Sequence, residues 1–223
     1  MRKLVKKYAS LLLMPLVRCY LKKQRTYAYK QTTVIVQPGV FHPGLFHSTR
    51  FILKYLEQQS LTGTSLLELG CGSGLISIEA AKAGAIVTAS DVSLKALKNT
   101  ELNVKKNNVN VSLVHSHLFQ SMNNKKFDWI IINPPYYAKA ARVEEEMAWH
   151  CGEHFEYFEK LFSTLHNHIH VQTKTIMVLT LGCDLNAIFA IAKKNDFQFH
   201  LIKEKSVLLD GSDFLYEIKK LIF

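Results

Sequence analysis

Short apolar runs and amphipathic segments alternate along this chain, and the alternation becomes regular after residue 64. The apolar runs predict strands at Thr32–Val36, Ser65–Leu69, Ala85–Ser90, Val111–His115, Phe127–Ile132, Thr175–Leu181, Phe197–Lys203 and Phe214–Leu221. Helical periodicity and capping residues predict helices over residues 47–57, 74–83, 93–106, 144–165 and 186–194. Most of the chain therefore consists of predicted strands joined by predicted helices.

This alternation predicts an α/β fold. Near-continuous apolar strands are typical of a mostly parallel sheet, so we expect a single doubly wound, Rossmann-like domain with helices on both faces. Ligands of such folds bind beyond the carboxyl ends of the strands, where the strand order reverses. Four polar or glycine-rich segments follow predicted strand ends, namely residues 70–74, Asp91, His117 and Asn133. Their common position predicts one binding site at that edge of the sheet.

The positive charge of the chain is concentrated near its N-terminus. There are 28 Lys and Arg residues against 18 Asp and Glu, which gives a formal net charge of +10. Residues 1–30 contain nine of these bases and no acid, so the remainder is nearly neutral. We therefore divide the chain into a basic, amphipathic arm, residues 1–32, and an α/β domain, residues 33–223. Such an arm is attracted to RNA phosphate or to an anionic membrane surface, and packing on its own domain is the alternative.

Within the arm, the apolar run 9–17 is too short to span a bilayer and contains Pro15. No small-residue cleavage site follows it, which argues against a secretory signal. The four cysteines are scattered, without a C-x-x-C pair, at Cys19, Cys71, Cys151 and Cys183. This spacing is typical of a reduced protein, so we expect a cytoplasmic location, with peripheral contact at the membrane left open.

The string Glu68-Leu-Gly-Cys-Gly-Ser-Gly74 lies between a predicted strand and a predicted helix. Its glycines let the backbone turn sharply, and they let a ligand approach main-chain amides without a Cβ in the way. Free amides at the start of the helix favour a carboxylate or a phosphate. The dinucleotide spacing G-x-G-x-x-G is not met, because Leu75 or Ser77 occupies its last position. A nucleotide-like cofactor is one interpretation, and a tight strand-to-helix turn is the other.

Asp91 ends the next predicted strand, about 20 residues beyond the glycine loop. At that distance an acid accepts hydrogen bonds from ribose hydroxyls, and a carboxylate can accept from two hydroxyls at once. The alternative is an N-cap for the helix that begins near Ser93. We favour ribose binding because the glycine loop precedes Asp91.

The segment Asn133-Pro134-Pro135-Tyr136 follows a buried predicted strand. Its prolines fix φ and remove two amide donors, which leaves the Asn133 side-chain oxygen and the Pro134 carbonyl as acceptors. Two such acceptors can hold the two hydrogens of a planar NH₂ group and orient its delocalised lone pair, while Tyr136 packs on the planar face. A simple turn is the alternative. We interpret these four residues as catalytic.

The glycine string resembles the first motif of class I S-adenosylmethionine (SAM)-dependent methyltransferases, and Asn133–Tyr136 resembles the fourth motif of their amino-methyltransferase branch. The resemblance implies SAM as the cofactor, with Glu68 near its amino-acid end and Asp91 on its ribose. It places His117 where the family has an acid near the adenine amine, which is a departure. The cofactor-binding residues that it implies are Glu68, Gly70, Cys71, Gly72, Gly74, Asp91, Val92, His117, Leu118 and Asn133.

These motifs are most similar to those of the release-factor glutamine methyltransferases and of small-domain RNA methyltransferases. The resemblance implies methylation of a planar nitrogen, with a glutamine side-chain amide in a translation protein as the first substrate. An exocyclic amine of adenine or guanine in ribosomal or transfer RNA is the alternative. A catalytically weak SAM-binding module that docks on RNA or a membrane is the second alternative. The arm is shorter than the substrate domain of the release-factor enzymes, which keeps protein and RNA substrates open.

His150 and His154 would share one face of the predicted helix 144–165 and superficially resemble a zinc site. The H-E-x-x-H pattern is absent, and Gly152 interrupts the helix between the two histidines. We therefore expect no metal site in this chain.

Overall fold

The computed structural model describes residues 19–207 and 211–221. The strands in these residues are β1 (Arg25–Tyr29), β2 (Thr32–Val36), β3 (Ser65–Leu69), β4 (Ile86–Asp91), β5 (Val111–His115), β6 (Trp129–Ile132), β7 (Lys174–Thr180), β8 (Phe197–Val207) and β9 (Gly211–Lys220). The α-helices are α1 (His47–Leu56), α2 (Leu75–Lys82), α3 (Leu94–Lys106), α4 (Glu156–Leu165) and α5 (Leu185–Lys194). Short 3₁₀ helices lie at Glu144–Ala148 and His166–His168.

Seven strands form one sheet in the order β5-β4-β3-β6-β7-β9-β8. All pairings from β5 to β7 are parallel, whereas β9 runs antiparallel to both of its neighbours. From β3 the chain continues to β4 and β5 on one side and then to β6 on the other, so the strand order reverses between β3 and β6. The predicted doubly wound, mostly parallel sheet is confirmed.

Helices cover both faces of the sheet because successive strand residues point to opposite sides. Leu66 of β3 and Ile131 of β6 pack in one cluster with apolar side chains of α1 and α2. Leu67 and Ile130 pack in a second cluster with side chains of α4 and α5. All four side chains are fully buried, and each contributes roughly 1.5–3 kcal/mol of transfer free energy. The two clusters hold the central strands rigidly, and with them the loops at their carboxyl ends.

A two-stranded antiparallel hairpin, β1 and β2, precedes the domain. Asparagines one helical turn apart hold β2, two of them on α3 and the third at its C-cap, and we call this set the asparagine ladder: Asn99, Asn103 and Asn107. Asn103 Oδ1 accepts from the Ile35 N–H and its Nδ2 donates to the Ile35 carbonyl, both at 2.7 Å. The other two members bind the main chain of residues 33, 35 and 37. Side-chain amides of a helix thus take the place of a neighbouring strand for β2.

The strand β1 was not predicted, and it lies on the arm side of the division at residue 32. Two bases of the arm belong to this hairpin. The Arg25 guanidinium lies 3.9 Å from the Tyr20 ring centroid, and Lys30 Nζ lies 2.7 Å from a Glu57 carboxylate oxygen. The predicted break near Pro15 falls outside the described residues, and the division at residue 32 stays a prediction.

The predicted helix over residues 144–165 is wrong in its first half. Gly152 and Phe155 adopt left-handed backbone conformations with φ of 91° and 61°, which a continuous α-helix does not allow. Residues 149–151 lie instead beside Tyr137, and α4 begins only at Glu156. The two last strands are also longer than predicted, because they pair with each other as far as Val207 and Gly211.

No helix within residues 19–207 and 211–221 is both long and apolar enough to cross a bilayer. In the same residues, no group of three or more His, Cys, Asp or Glu side chains is arranged to hold a metal ion. The absence of a metal site stays a prediction for the whole chain.

Candidate active site

A cavity of about 380 Å³ opens beyond the carboxyl ends of β3, β4, β5 and β6, where the strand order reverses. Ligand pockets commonly span roughly 300–1,000 Å³. Of the residues that the sequence predicted for the site, all but Gly74 line this cavity. They are Glu68, Gly70, Cys71, Gly72, Asp91, Val92, His117, Leu118, Asn133, Pro134, Pro135 and Tyr136. The fold brings these separate segments together at one place.

The glycine loop leaves β3 in a conformation that favours glycine. Gly70 and Gly72 have φ of 77° and 53°. The amides of Gly70 and Cys71 both donate to the Ser90 carbonyl of β4 at 2.9 Å, which fixes the loop against the sheet. A Cβ on Gly70 would meet no atom within 4 Å, so the loop backbone itself forms the cavity wall there.

Gly74 has a packing role in the same loop. It precedes the first residue of α2 with φ of 77°, and a Cβ there would lie 2.5 Å from a Thr100 methyl carbon on α3. The Thr100 hydroxyl also donates to the Gly72 carbonyl at 3.0 Å, and Asn103 Nδ2 donates to the Ser73 carbonyl at 2.9 Å. The loop is therefore held from behind by α3.

Glu68 is buried at the end of β3, beneath the glycine loop. Its carboxylate accepts from the Ser77 amide at 2.9 Å and from the Ser77 hydroxyl. Burial raises the pKa of Glu68 to about 8, against the opposing effect of the Ser77 hydrogen bonds, and the charge of Asp91 raises it further. A cation beside Glu68 would favour its ionised form.

Asp91 joins the glycine loop to the start of α3. One carboxylate oxygen accepts from the Gly72 amide and the other from the Ser93 amide, each at 2.9 Å. Ser93 is the N-cap residue of α3, because its hydroxyl accepts from the Ala96 amide. The alternative reading of Asp91 as a helix cap therefore does not hold, and its carboxylate lines the cavity instead.

The loop after β5 is fixed by Ser116. Its amide donates to the Asp91 carbonyl at 3.0 Å, and its hydroxyl donates to the Leu118 carbonyl at 2.7 Å. This arrangement supports the left-handed conformation of Leu118, with φ of 53°. Burial and then the charge of Lys160 lower the pKa of His117, so its imidazole is neutral near pH 7. The cavity thus has a neutral side chain at this position.

Asn133 follows β6, whose four residues are all buried, and it is half-buried on the cavity wall. Within the described residues, no group hydrogen-bonds the Asn133 side chain. Pro134 is buried beside it and also lines the cavity. The predicted turn therefore offers hydrogen-bonding atoms to the cavity that the fold does not use.

The segment after the turn is closed by residues that the sequence did not predict for the site. The amides of Tyr136 and Tyr137 both donate to the Trp149 carbonyl, at 3.1 and 2.9 Å, and the Cys151 amide donates to the Tyr137 carbonyl at 2.9 Å. These bonds bring Trp149 and His150 onto the cavity wall. Gly152 is the residue in the sequence that indicates an interruption of the predicted helix 144–165 at this point.

Three aromatic rings pack together beside the cavity, and we call them the aromatic wall: Phe41 and Trp149, which line the cavity, and Phe46, which packs on both. Their ring centroids are 4.8–5.2 Å apart, and Phe41 and Phe46 are stacked with an interplanar angle of 29°. A Cβ on Gly72 would lie 3.6 Å from the Phe41 Cβ, so the wall begins above the glycine loop. It extends through Trp149 to the Asn133–Tyr136 turn.

A family model described as "Methyltransferase small domain" matches residues 31–200. The chain belongs to this family. The family resemblance predicted from the glycine loop and the Asn133–Tyr136 turn is confirmed.

A relative named protein N5-glutamine methyltransferase, from Methanocaldococcus jannaschii, is 39% identical over 102 residues. These residues cover 45% of this chain and 49% of the relative, so the match spans about half of each protein.

Solved structures agree on the fold. The T. thermophilus 16S rRNA N2 G1207 methyltransferase, in complex with AdoMet and guanosine, gives a TM-score of 0.65 at 18% identity and covers 89% of this chain and 50% of its own. The E. cuniculi Mtq2–Trm112 complex, responsible for methylation of the eRF1 translation termination factor, gives a TM-score of 0.62 at 17% identity. That match covers 82% of this chain and 99% of the other.

Proposed function

We propose that this chain transfers a methyl group from SAM to a planar nitrogen. The observation that carries the proposal is the unpartnered Asn133 side chain, which lies on the same cavity wall as the glycine loop of a methyltransferase family member. A side-chain amide without an internal partner costs little to leave in contact with solvent, but it is ready to bind a polar group of a ligand. Transfer of a labelled methyl group from SAM tests the proposal.

The residues of the cavity fit SAM. Gly70 leaves open space where any other residue would place a Cβ, so the amino-acid end of the cofactor can contact the loop backbone. Glu68 lies beneath the same loop, and its carboxylate ionises beside a cation such as the SAM ammonium group. Asp91 would accept hydrogen bonds from the ribose hydroxyls, and Leu118 and neutral His117 would hold the adenine.

When bound, SAM supplies a sulfonium methyl that a nitrogen lone pair can attack. The Asn133 side-chain oxygen and the Pro134 carbonyl hold the two hydrogens of the acceptor NH₂ group, which turns its lone pair toward the methyl. Pro134 and Pro135 keep the edge rigid by fixing φ. Tyr136 packs on the planar acceptor, and the aromatic wall excludes water from the mouth of the cavity.

We assign a glutamine side-chain amide of a translation protein as the first substrate. Two comparisons support it. The first is the 39% identity to the glutamine methyltransferase relative, and the second is the likeness in fold to a chain, covered to 99%, from the complex responsible for methylation of the eRF1 translation termination factor. The rRNA-methylating neighbour is about twice as long as the part that matches.

An exocyclic amine of adenine or guanine in RNA is the second candidate, and the aromatic wall favours it. Three rings 4.8–5.2 Å apart beside the cavity offer a stacking surface for a base that is turned out of its stack. The basic arm would then contact RNA phosphate, and its contact with an anionic membrane remains the competing proposal. A cytoplasmic location belongs to the same proposal.

Transfer of tritiated methyl from SAM into fractionated cell extract tests the function. Label in protein supports the glutamine substrate, and label in RNA supports the base. Asn133→Ala should lower the rate by at least about a hundredfold while SAM affinity changes less than about threefold. Asn167→Ala is the matched control, because Asn167 is exposed on a 3₁₀ helix outside the cavity. Measurable SAM binding without transfer by the wild-type protein would leave only the SAM-binding module.

A further inference from the structure

His150 lies on the cavity wall, and it has no role in the methyl transfer proposed above. It pairs with Tyr137 in an isolated parallel bridge, directly after the Asn133–Tyr136 turn. Hydrogen bonds on both sides of this pair, from Tyr136 and Tyr137 to Trp149 and from Cys151 to Tyr137, fix its backbone against the turn. An ionisable side chain is thus held beside the proposed acceptor position.

The imidazole of His150 has one buried and one accessible nitrogen. Nδ1 is buried without a hydrogen-bond partner, whereas the side chain as a whole is 19% exposed. Nδ1 faces a Glu146 carboxylate oxygen at 3.7 Å, which is beyond hydrogen-bond distance. The same oxygen accepts from the Arg142 amide at 2.8 Å and is therefore fixed in place. When the imidazole is protonated on both nitrogens, its positive charge faces the Glu146 carboxylate through Nδ1–H.

Methylation of a planar NH₂ nitrogen requires a proton acceptor. The carbon–sulfur bond of the cofactor breaks, a nitrogen–carbon bond forms, and the thioether product leaves neutral. The positive charge then lies on the methylated nitrogen, which must lose one hydrogen as a proton. Asn133 and Pro134 hold the hydrogens of this nitrogen through oxygens that are weak bases, so they do not remove the proton.

We propose that His150 is the catalytic base that takes this proton, and that Glu146 is a positioning residue that stabilises the resulting imidazolium. The proposal rests on the methyl transfer proposed above. The accessible Nε2 accepts the proton, and Nδ1–H then closes on the Glu146 carboxylate as an ion pair. This arrangement follows the general pattern in which a carboxylate orients an imidazole through its second nitrogen.

Other charged groups face the same cavity and bear on any pH profile. The charged or titratable residues of the lining besides Glu68 and His150 are Cys71, Asp91, Lys95, His117, Tyr136, Cys151, Glu156, Tyr157 and Lys160. Saturating SAM keeps the ionisation of Glu68 and Asp91 constant, because both would contact the bound cofactor. His117 has a lowered pKa and therefore titrates below the ordinary range of histidine. The part of the acid limb that His150→Gln removes is then assigned to His150.

The test measures the initial rate of tritium incorporation from saturating labelled SAM into a fixed amount of cell extract, from pH 5.5 to 9. The wild-type rate should fall as the pH drops and His150 gains a proton. His150→Gln should lower the rate above pH 7.5 by about a hundredfold and remove the acid limb. Glu146→Gln should move the acid limb to lower pH, because the neutral amide no longer favours the imidazolium. His154→Gln is the matched control, since His154 is exposed and does not line the cavity.

The outcomes separate the two proposals. An acid limb that persists in His150→Gln, or an equal loss of rate in His154→Gln, overturns the role of His150 and leaves methyl transfer intact. A wild-type protein that binds SAM but transfers no label overturns both. If His150→Gln does not bind SAM or melts early, the shift in Glu146→Gln decides: an unchanged limb refutes the base, and a limb at lower pH supports it.

Discussion

The two halves of the cavity are stabilised in different ways. In the cofactor half, at the ends of β3, β4 and β5, the side chains of Glu68, Asp91 and Ser116 are all hydrogen-bonded to the protein itself. In the acceptor half, the Asn133 side chain and Nδ1 of His150 have no hydrogen-bond partner among the described residues. The cofactor half is therefore complete before any ligand binds, whereas the acceptor half keeps polar atoms available for one.

This difference separates stability from catalysis. Substitutions in the cofactor half remove internal hydrogen bonds or packing, so they should lower the free energy of unfolding. Removing the unpartnered side chain of Asn133 in the acceptor half takes away atoms that the fold does not hydrogen-bond, so it should lower activity and leave stability nearly unchanged. Equilibrium unfolding of matched variants tests this contrast.

The largest effect should come from the ionisation of Glu68. Its pKa is about 8 in the folded protein and ordinarily near 4.5, so the folded state binds more protons between these values. The free energy of unfolding should therefore be highest below pH 4.5, as far as this residue is concerned, and should fall by about 4 kcal/mol as the pH rises to 8. Urea unfolding at several pH values measures the fall. Glu68→Gln should show a flatter profile over the same window, and an unchanged slope would contradict the prediction.

A smaller effect, about 3 kcal/mol, is expected for Gly74→Ala. Alanine at this position has to adopt a left-handed φ. Its Cβ would also lie only 2.5 Å from the Thr100 methyl carbon, which is a collision. Gly63→Ala is the matched control, because Gly63 has nearly the same φ of 74° but no atom within 4 Å of the added Cβ. That variant should lose only about 1 kcal/mol. Equal midpoints of urea unfolding for the two variants would mean that α3 moves aside without cost.

Asn103→Ala should cost about 2 kcal/mol, since it removes hydrogen bonds to Ile35 and to the Ser73 carbonyl in a fully buried place. SAM affinity should also fall, because Ser73 belongs to the glycine loop. Asn99→Ala removes comparable bonds to residues 35 and 37 only, so its unfolding loss should be similar while its SAM affinity stays unchanged. Calorimetric titration with SAM distinguishes them; equal affinity losses would show that the ladder acts on the loop as a whole.

The smallest effect on stability, within about 0.5 kcal/mol, is expected for Asn133→Ala. The side chain has no internal partner to lose, although the same change should abolish transfer. Thermal melting measures the difference from wild type. A loss above about 1 kcal/mol would place Asn133 in the structural framework and would remove the contrast between the two halves.

The sequence allowed prediction of the cofactor half because local rules govern it. An apolar strand, a glycine loop and an acid at the end of the next strand follow one another within 30 residues, and each element can be recognised without its partners. The same rules predicted the β6 strand and the Asn133 turn. They did not predict β1, whose residues Arg25–Tyr29 are held by long-range contacts such as the Tyr29 hydroxyl to Glu57.

The acceptor half was less predictable because it depends on contacts between segments distant in sequence. Residues 144–165 have good helical composition, but their first part forms only a short 3₁₀ helix, and His150 then pairs with Tyr137. The sequence therefore predicted Trp149 within a helix, whereas in the structure its ring belongs to the aromatic wall. Gly152 adopts a left-handed φ where the predicted helix is interrupted. The residue type alone does not predict that φ, because glycine adopts both signs of φ about equally readily.

The asparagine ladder holds β2, and β2 pairs with β1. The last part of the basic segment, residues 25–30, is therefore also part of the fold. A truncation after residue 30, where the excess of charge ends, would remove β1 and the Tyr29–Glu57 hydrogen bond, leaving β2 attached to α3 on one side only. A truncation after residue 18 would remove five of the nine bases and keep the hairpin whole. The part of the arm that evolution or an experimenter can exchange without disturbing the glycine loop is therefore shorter than its charge suggests.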